Sequence, residues 1–205
     1  LTDLEETVTV SETFDDDLIP GSSGISLKAG EILTVRDLLY ATAIASANDA
    51  ANVLAERAAG TREKFIELMN EKAKALGCKG THFTNTHGLP DEDHYTTARD
   101  MMIMMRYALK NDLFRKLVST YAYTIGETNK TEKRVFSTTN SLISSVSENY
   151  YRYACGGKTG TTTAAGYNLV SWASKSDIDF ILVAMHAEKK DGSSNPIFKD
   201  SKALY

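Results

Sequence analysis

The sequence predicts a domain of the α+β class, in which an antiparallel sheet is flanked by helices. Apolar residues recur at helical spacing between residues 34 and 108, whereas after residue 149 they follow the period of a strand. Helices followed by strands, instead of alternating with them, are typical of this class. A chain of 205 residues is long enough to bury one core. We therefore expect a single domain over residues 1–205, with an all-helical lobe at about 34–150 and strands at about 157–187.

The helical lobe is predicted from start and stop signals. Thr34 and Asp37 have the spacing of a capping box, which begins a helix that runs toward Ser46. Gly77 follows a long amphipathic segment and is typical of the residue after a helix end. Further helices are expected at about 48–59, 61–77 and 97–108.

Three strands are predicted near the carboxyl end, joined by short turns as in an antiparallel meander. They are Lys158–Thr163, Tyr167–Ala173 and Phe180–His186. Phe180 to Met185 is continuously apolar, which predicts a strand buried on both faces. A short strand is also expected within residues 5–12, and no element is predicted in the polar stretch 119–149.

Composition excludes several function classes. The formal net charge is −4, with no basic patch, which argues against nucleic acid as a partner. Cys78 and Cys155 are too few and too far apart for a disulfide framework or a zinc pattern. No apolar run approaches the ~18 residues of a membrane span. We expect no metal and no cofactor.

The segment Gly157-Lys158-Thr159 invites comparison with a phosphate-binding loop. That loop needs a glycine five residues before its second glycine, and position 152 holds an arginine. The residues that follow are β-branched threonines, which favour a strand over a helix. Both departures argue against a nucleotide site.

Two short motifs carry the chemistry. Ser46-Ala47-Asn48 lies where one predicted helix gives way to the next, and Lys158-Thr159-Gly160 lies on a predicted strand. Either motif alone is explained by helix capping or by a solvated strand edge. Together they match the S-x-N and K-T-G elements of penicillin-recognising serine enzymes. In such a site the lysine supplies a positive field for a carboxylate, and strand N–H groups can bind an oxyanion.

The chain resembles the low-molecular-mass penicillin-binding proteins, the serine-type D-Ala-D-Ala carboxypeptidases of peptidase family S11. The resemblance extends from about Val8 to Lys199 and rests on six segments in the family's order. They are GSSGISLKAGEILTVRDLL, SANDAA at 46–51, FTNTHGL at 83–89, TTARDM at 96–101, TTNSLI at 138–143 and KTGTTTAAGYNLV at 158–170. The resemblance implies a β-lactamase/transpeptidase-like fold, whose antiparallel sheet has five strands in the family, and this chain is expected to supply three of them.

The resemblance also implies a role for each site residue. Ser46 becomes the proton-relay serine and Asn48 the ligand of the substrate amide. Lys158 becomes the electrostatic lysine, Thr159 the carboxylate contact, and the N–H of Thr161 one half of the oxyanion hole. Gly160 leaves room for a substrate laid along the strand. His87 is expected to be structural.

The implied partners follow from the substrate class. They are the peptidoglycan stem peptide ending in D-Ala-D-Ala, which loses its terminal D-Ala through an acyl-enzyme, and β-lactam antibiotics. The implied location is extracytoplasmic: periplasm, cell wall or outer face of the cytoplasmic membrane. The resemblance leaves open a peripheral membrane attachment through a region that this chain does not contain.

One family motif has no counterpart. The S-x-x-K element supplies the nucleophile and its base, yet no serine of this chain has a lysine three residues later. The chain also opens without a methionine, at Leu1-Thr2-Asp3. We therefore expect an N-terminal truncation that removes the nucleophile helix and the strands before it, and a chain that is inactive alone.

Three alternatives remain open. A class A-like β-lactamase needs a glutamate in an E-x-x-L-N segment before Thr96, and that segment is lacking. A zinc peptidase would use His82, His87 and His94, whose spacing matches no H-E-x-x-H motif. A non-catalytic peptidoglycan-binding relative would keep the cleft without the nucleophile.

Overall fold

The computed structural model describes residues 3–189 and 195–205. Leu1 and Thr2, the opening residues on which the expected truncation was based, lie outside the described residues. The chain divides into two compact units. The first unit contains Leu1–Lys72, Phe83–His94 and Ala122–Ser137, and the second contains Ala73–His82, Tyr95–Tyr121 and Thr138–Tyr205.

Helices and strands are interleaved along the chain. In order they are β1 Thr7–Thr9, β2 Ile32–Thr34, α1 Val35–Tyr40, a π-helical turn Ala41–Ala45, α2 Asn48–Ala59, α3 Arg62–Ala75, α4 Ala98–Ala108, α5 Asp112–Ser119, β3 Ala122–Ile125, β4 Arg134–Ser137, a 3₁₀ turn Ser141–Ile143, β5 Ala154–Thr162, β6 Gly166–Lys175, β7 Ile178–Ala187 and α6 Pro196–Leu204.

The first unit is built on α1 and α2 with two short antiparallel pairs, β1–β2 and β3–β4. The capping box is confirmed, because the Thr34 hydroxyl accepts a hydrogen bond from the Asp37 N–H at 3.1 Å and the Asp37 carboxylate accepts one from the Thr34 N–H at 3.3 Å. Leu38 on α1 and Val53 on α2 are almost completely buried in one apolar cluster with Ile125 of β3. The core therefore holds the end of α1 and the start of α2 in fixed positions.

The second unit is built on an antiparallel sheet of order β5-β6-β7. Lys158, Thr159 and Gly160 of β5 lie opposite Val170, Leu169 and Asn168 of β6. Helices α4 and α6 pack against β7, and α5 packs against β5. The three predicted strands are confirmed, each slightly longer than expected.

Two expectations from the sequence are wrong. The apolar strand β7 is not buried on both faces, because Phe180 is 50% exposed and Met185 is 37% exposed. Within the described residues β7 pairs with β6 alone, so one long edge and part of each face stay open. The stretch 119–149 does contain an element, the β3–β4 hairpin, whose alternation is broken by apolar Ala122 and Val135 on its exposed face and by Arg134 on its half-buried face.

Candidate active site

The predicted lysine lies on β5, which two glycines hold close to its neighbours. A Cβ at position 156 would lie 2.6 Å from the carbonyl oxygen of Val118, at the end of α5. A side chain there would push the strand away from the helix, so only glycine allows this approach. The glycine pair before Lys158 therefore lets β5 lie close to its neighbours, and this determines how deeply Lys158 lies in the second unit.

Lys158 is a half-buried cation. Its Nζ donates a hydrogen bond to the carbonyl oxygen of Thr159 at 2.7 Å. Burial lowers the pKa of Lys158 from an ordinary 10.5 to about 8, because desolvation disfavours the ammonium form. The charged form still predominates at pH 7, but in a setting that makes an incoming anion favourable.

Thr159 is half-buried and Gly160 is exposed on the same strand. The Thr159 hydroxyl is hydrogen-bonded to the hydroxyl of Thr139, from the loop before the 3₁₀ turn. A Cβ at Gly160 would meet nothing within 4 Å, so space is open beside the backbone there. Because β5 is an edge strand of the described sheet, an extended peptide could add along it in the manner of a further strand.

Asn168 shapes the far end of this strand, and sequence reasoning missed it. Its side-chain amide donates to the carbonyl oxygens of Gly160 at 3.3 Å and Gly166 at 3.0 Å, and its oxygen accepts from the His186 N–H at 3.0 Å. The turn after Thr161 is thereby tied to β6 and β7. In the sequence Asn168 lies in the segment AGYNLV, which indicated the family but not these hydrogen bonds.

Ser46 occupies a strained position in the first unit. It follows the π-helical turn with φ 56° and ψ 39°, in the left-handed region, and its N–H donates to the Ala41 carbonyl oxygen. A non-glycine residue there costs of order 1 kcal/mol or more and persists only when its surroundings impose it. Such outliers cluster at functional sites.

Asn48 is the buried first residue of α2. Its N–H donates to the Ser23 carbonyl oxygen at 3.0 Å. The neighbouring carboxylate of Asp49 accepts from the N–H groups of Ile25 at 3.0 Å and Leu27 at 3.1 Å. Loop 22–27 is therefore fastened to the helix that begins with Asn48, next to Ser46.

A second asparagine on α2, Asn52, joins two loops and was also missed from the sequence. It is fully buried, donates to the Phe14 carbonyl oxygen at 2.8 Å and to the Asp17 carboxylate at 2.7 Å, and accepts from the Thr86 hydroxyl. The only indication of this role in the sequence is that Asn52 lies one helical turn after Asn48.

His87 belongs to the same network as Asp17. Its Nδ1 accepts from the Leu89 N–H at 3.2 Å, and its Nε2 lies 3.3 Å from the Asp17 carboxylate. Burial lowers the pKa of His87, so the neutral ring with its proton on Nε2 satisfies both contacts. Both ring nitrogens are engaged within the protein, in keeping with a structural role.

The six predicted site residues belong to two different structural units. Ser46 and Asn48 belong to the first unit, at the junction between the π-helical turn and α2. Lys158, Thr159, Gly160 and Thr161 belong to the second unit, in consecutive positions of β5.

The described residues contain neither a metal-binding cluster nor a membrane-spanning helix. Within residues 3–189 and 195–205, no group of three or more His, Cys, Asp or Glu side chains could hold a metal ion. Among the helices of those same residues, none has the length and apolarity needed to cross a bilayer.

The chain is similar in sequence to known D-alanyl-D-alanine carboxypeptidases. A family model described as D-alanyl-D-alanine carboxypeptidase matches residues 2–189. The D-alanyl-D-alanine carboxypeptidase DacF of Bacillus subtilis is 41% identical over 167 residues, which cover 82% of this chain and 41% of that protein. The chain thus spans less than half the length of this curated relative.

Solved structures agree with the sequence relatives. A D-alanyl-D-alanine carboxypeptidase from Mycobacterium tuberculosis superimposes with a TM-score of 0.85 at 27% identity, over 98% of this chain and 73% of that chain. A DD-transpeptidase from Streptomyces gives a TM-score of 0.83 at 31% identity, over 98% of this chain and 77% of that chain.

The fold is accordingly that of the penicillin-recognising DD-transpeptidases and DD-carboxypeptidases, which confirms the predicted α+β class. The chain belongs to the D-alanyl-D-alanine carboxypeptidase family, peptidase S11, as its six segments predict.

Proposed function

We propose that this chain provides the substrate-binding part of a serine-type D-Ala-D-Ala carboxypeptidase that trims peptidoglycan stem peptides and is a target of β-lactams. The observation that carries the proposal is Lys158, a partly desolvated ammonium group on an edge strand of the described sheet. An ammonium group in partly desolvated surroundings attracts an anion more strongly than one in bulk water does. The free carboxylate of a terminal D-Ala is an anion of suitable size that also occurs on β-lactams.

The proposal assigns the strand residues by what each can offer. Lys158 attracts the carboxylate and Thr159 donates a hydrogen bond to it. Gly160 leaves space for the peptide along β5, and the N–H of Thr161 is one donor to the oxyanion of the tetrahedral intermediate. A peptide without a free terminal carboxylate lacks the attraction between opposite charges at Lys158.

The first unit contributes Ser46 and Asn48. In the proposal the Ser46 hydroxyl passes a proton toward the leaving nitrogen of the terminal D-Ala, and the Asn48 amide binds the peptide amide. Acylation further requires a nucleophile with an adjacent base. Since no serine of this chain has a lysine three residues later, we expect the chain alone to bind such peptides without being acylated.

Location follows from the substrate. Peptidoglycan stem peptides are processed outside the cytoplasmic membrane, so the proposed activity places the protein on that side. The curated relative named above carries the same carboxypeptidase description, which supports this part of the proposal.

The proposal is tested with the purified chain by calorimetric titration with diacetyl-L-Lys-D-Ala-D-Ala and its L-Ala-L-Ala isomer. We expect saturable binding of the D,D peptide, weaker binding of the L,L peptide, and loss of D,D binding in Lys158→Met. Equal binding of both isomers, or binding unchanged in Lys158→Met, would overturn the proposal. Intact mass after incubation with benzylpenicillin adds a second readout, and a covalent increment would contradict the expectation that this chain is not acylated.

A further inference from the structure

The loop before the 3₁₀ turn brings one further hydroxyl to the strand that carries Lys158. Thr139 is exposed, and its Oγ1 is hydrogen-bonded to Oγ1 of Thr159. Either hydroxyl is able to donate in this pair. Both residues lie within the second unit, twenty positions apart in the sequence.

The loop is anchored firmly enough to hold this contact. Leu142 is fully buried and clusters with Leu169 of β6 and Ile197 of α6. The buried side chain of Asn140 accepts from the Leu142 N–H at 3.1 Å. At the other end of the loop, the Thr138 N–H donates to the Tyr121 carbonyl oxygen at 2.7 Å. Thr139 is therefore carried on a loop fixed on both sides.

The charge of the ligand decides which hydroxyl donates. A carboxylate accepts hydrogen bonds and has no proton to give. When Thr159 donates to it, the single proton of Thr159 is used, and the contact between the two threonines is kept only if Thr139 is the donor. The chain of donation then runs from Thr139 to Thr159 to the carboxylate, and each bond polarises the next.

From this geometry we propose that Thr139 is a positioning residue for terminal-carboxylate recognition: by donating to Thr159, it aims the Thr159 proton at the ligand carboxylate. The inference rests on the proposed function, because it assumes that Thr159 meets the terminal carboxylate. Thr139 itself does not touch the reacting atoms.

The inference makes a specificity statement. A terminal carboxamide presents an N–H₂ group as well as an oxygen, so it can accept from Thr159 or donate to it. The direction of donation between the two threonines then matters less. Loss of the Thr139 hydroxyl should weaken binding of the free acid more than binding of the amide.

The test compares Thr139→Val with Thr139→Ser by titration with diacetyl-L-Lys-D-Ala-D-Ala and its C-terminal amide. We expect Thr139→Val to weaken binding of the acid about fivefold to tenfold, the cost of one hydrogen bond between neutral groups. Binding of the amide should change less than about twofold, and Thr139→Ser should keep the acid preference of the parent chain. An equal loss for acid and amide, no loss for either, or a Thr139→Ser variant that behaves as Thr139→Val would overturn the inference.

A double-mutant cycle separates positioning from an independent contact. If Thr139 acts through Thr159, then Thr139→Val has no further effect in a Thr159→Val background, whereas additive losses would contradict the inference. The parent chain distinguishes the two levels of the argument. If it does not prefer the acid over the amide, the proposed function itself fails; if it does and Thr139→Val keeps that preference, only the role of Thr139 fails.

Discussion

The two units each contain a charge withdrawn from water, and the two charges are treated differently. In the first unit the carboxylate of Glu31 is fully buried and accepts hydrogen bonds from the Lys28 N–H, Thr128, Thr131 and Arg134. In the second unit the ammonium of Lys158 is half-buried on an edge strand of the described sheet. The Glu31 charge lies inside the fold, and the Lys158 charge lies on a strand edge.

The pKa shifts express this difference. Burial raises the pKa of Glu31, but hydrogen bonds from Thr131 and Thr128 and the charge of Arg134 lower it, and the net pKa is below the ordinary value. Burial is the cause of the fall in the pKa of Lys158 to about 8. The surroundings therefore favour the ionised form of Glu31 and disfavour that of Lys158. A buried charge that destabilises its own fold is a better guide to function than one that stabilises it.

The largest expected effect comes from removing the satisfied charge. Glu31→Leu leaves the guanidinium of Arg134 without its partner, and Nε and Nη1 of that group already have no partner among the described residues. We expect the free energy of unfolding to fall by about 3 kcal/mol or more, as for other broken buried ion pairs. Urea denaturation measures it, with exposed Glu132→Leu as the control that should change little. Equal losses of stability in Glu31→Leu and Glu132→Leu would contradict the claim that the buried Glu31 charge stabilises the fold.

Replacing Lys158 should raise the free energy of unfolding, whereas replacing Glu31 should lower it. Lys158→Met removes a group whose pKa falls from 10.5 to about 8, a difference that corresponds to roughly 3 kcal/mol. We expect the free energy of unfolding at pH 7 to rise by up to about that amount, while peptide binding is lost. Exposed Lys110→Met is the matched control and should leave both unchanged. A less stable Lys158→Met would show that the ammonium supports the fold.

The sign of the pH dependence follows from the same group. Below pH 8 Lys158 is charged in both states and its desolvation cost is present in full; between about 8 and 10.5 the unfolded chain binds the additional proton, so stability rises with pH. The stability advantage of Lys158→Met should therefore shrink across this window. Binding of the D,D peptide should weaken as pH rises through about 8. A constant difference between the two chains from pH 7 to 10.5 would contradict this explanation.

The smallest effect concerns strain in the backbone. Ser46→Gly places glycine at φ 56°, where it has no Cβ penalty, and should stabilise the chain by about 1 kcal/mol. Ser176→Gly, at φ 51° in the turn between β6 and β7, is the matched control that should stabilise by a similar amount. Thermal denaturation measures both, and a Ser46→Gly variant that is destabilised while Ser176→Gly is stabilised would show that the Ser46 side chain holds the turn.

Much of this fold was predictable from local patterns. The Thr34 capping box, helix α2 and the Lys158 strand follow from cap chemistry, helical spacing and β-branched residues. The exposure of Phe180 was not, because an apolar run reports hydrophobicity and not which strands pair beside it. The site was predicted as motifs, whereas the contacts of Asn52, Thr139 and Asn168 depend on loops that meet only in three dimensions.

The central claim is that the Lys158 ammonium is held for a ligand carboxylate, and its own titration tests that most directly. Selective ¹³C labelling of the lysine side chains, with Lys158→Met to assign the signal, gives the pKa by NMR. We predict a value of about 8 in the free chain and a rise when diacetyl-L-Lys-D-Ala-D-Ala binds, because a neighbouring anion favours the charged form. A value near 10.5 that does not respond to the peptide would contradict the account.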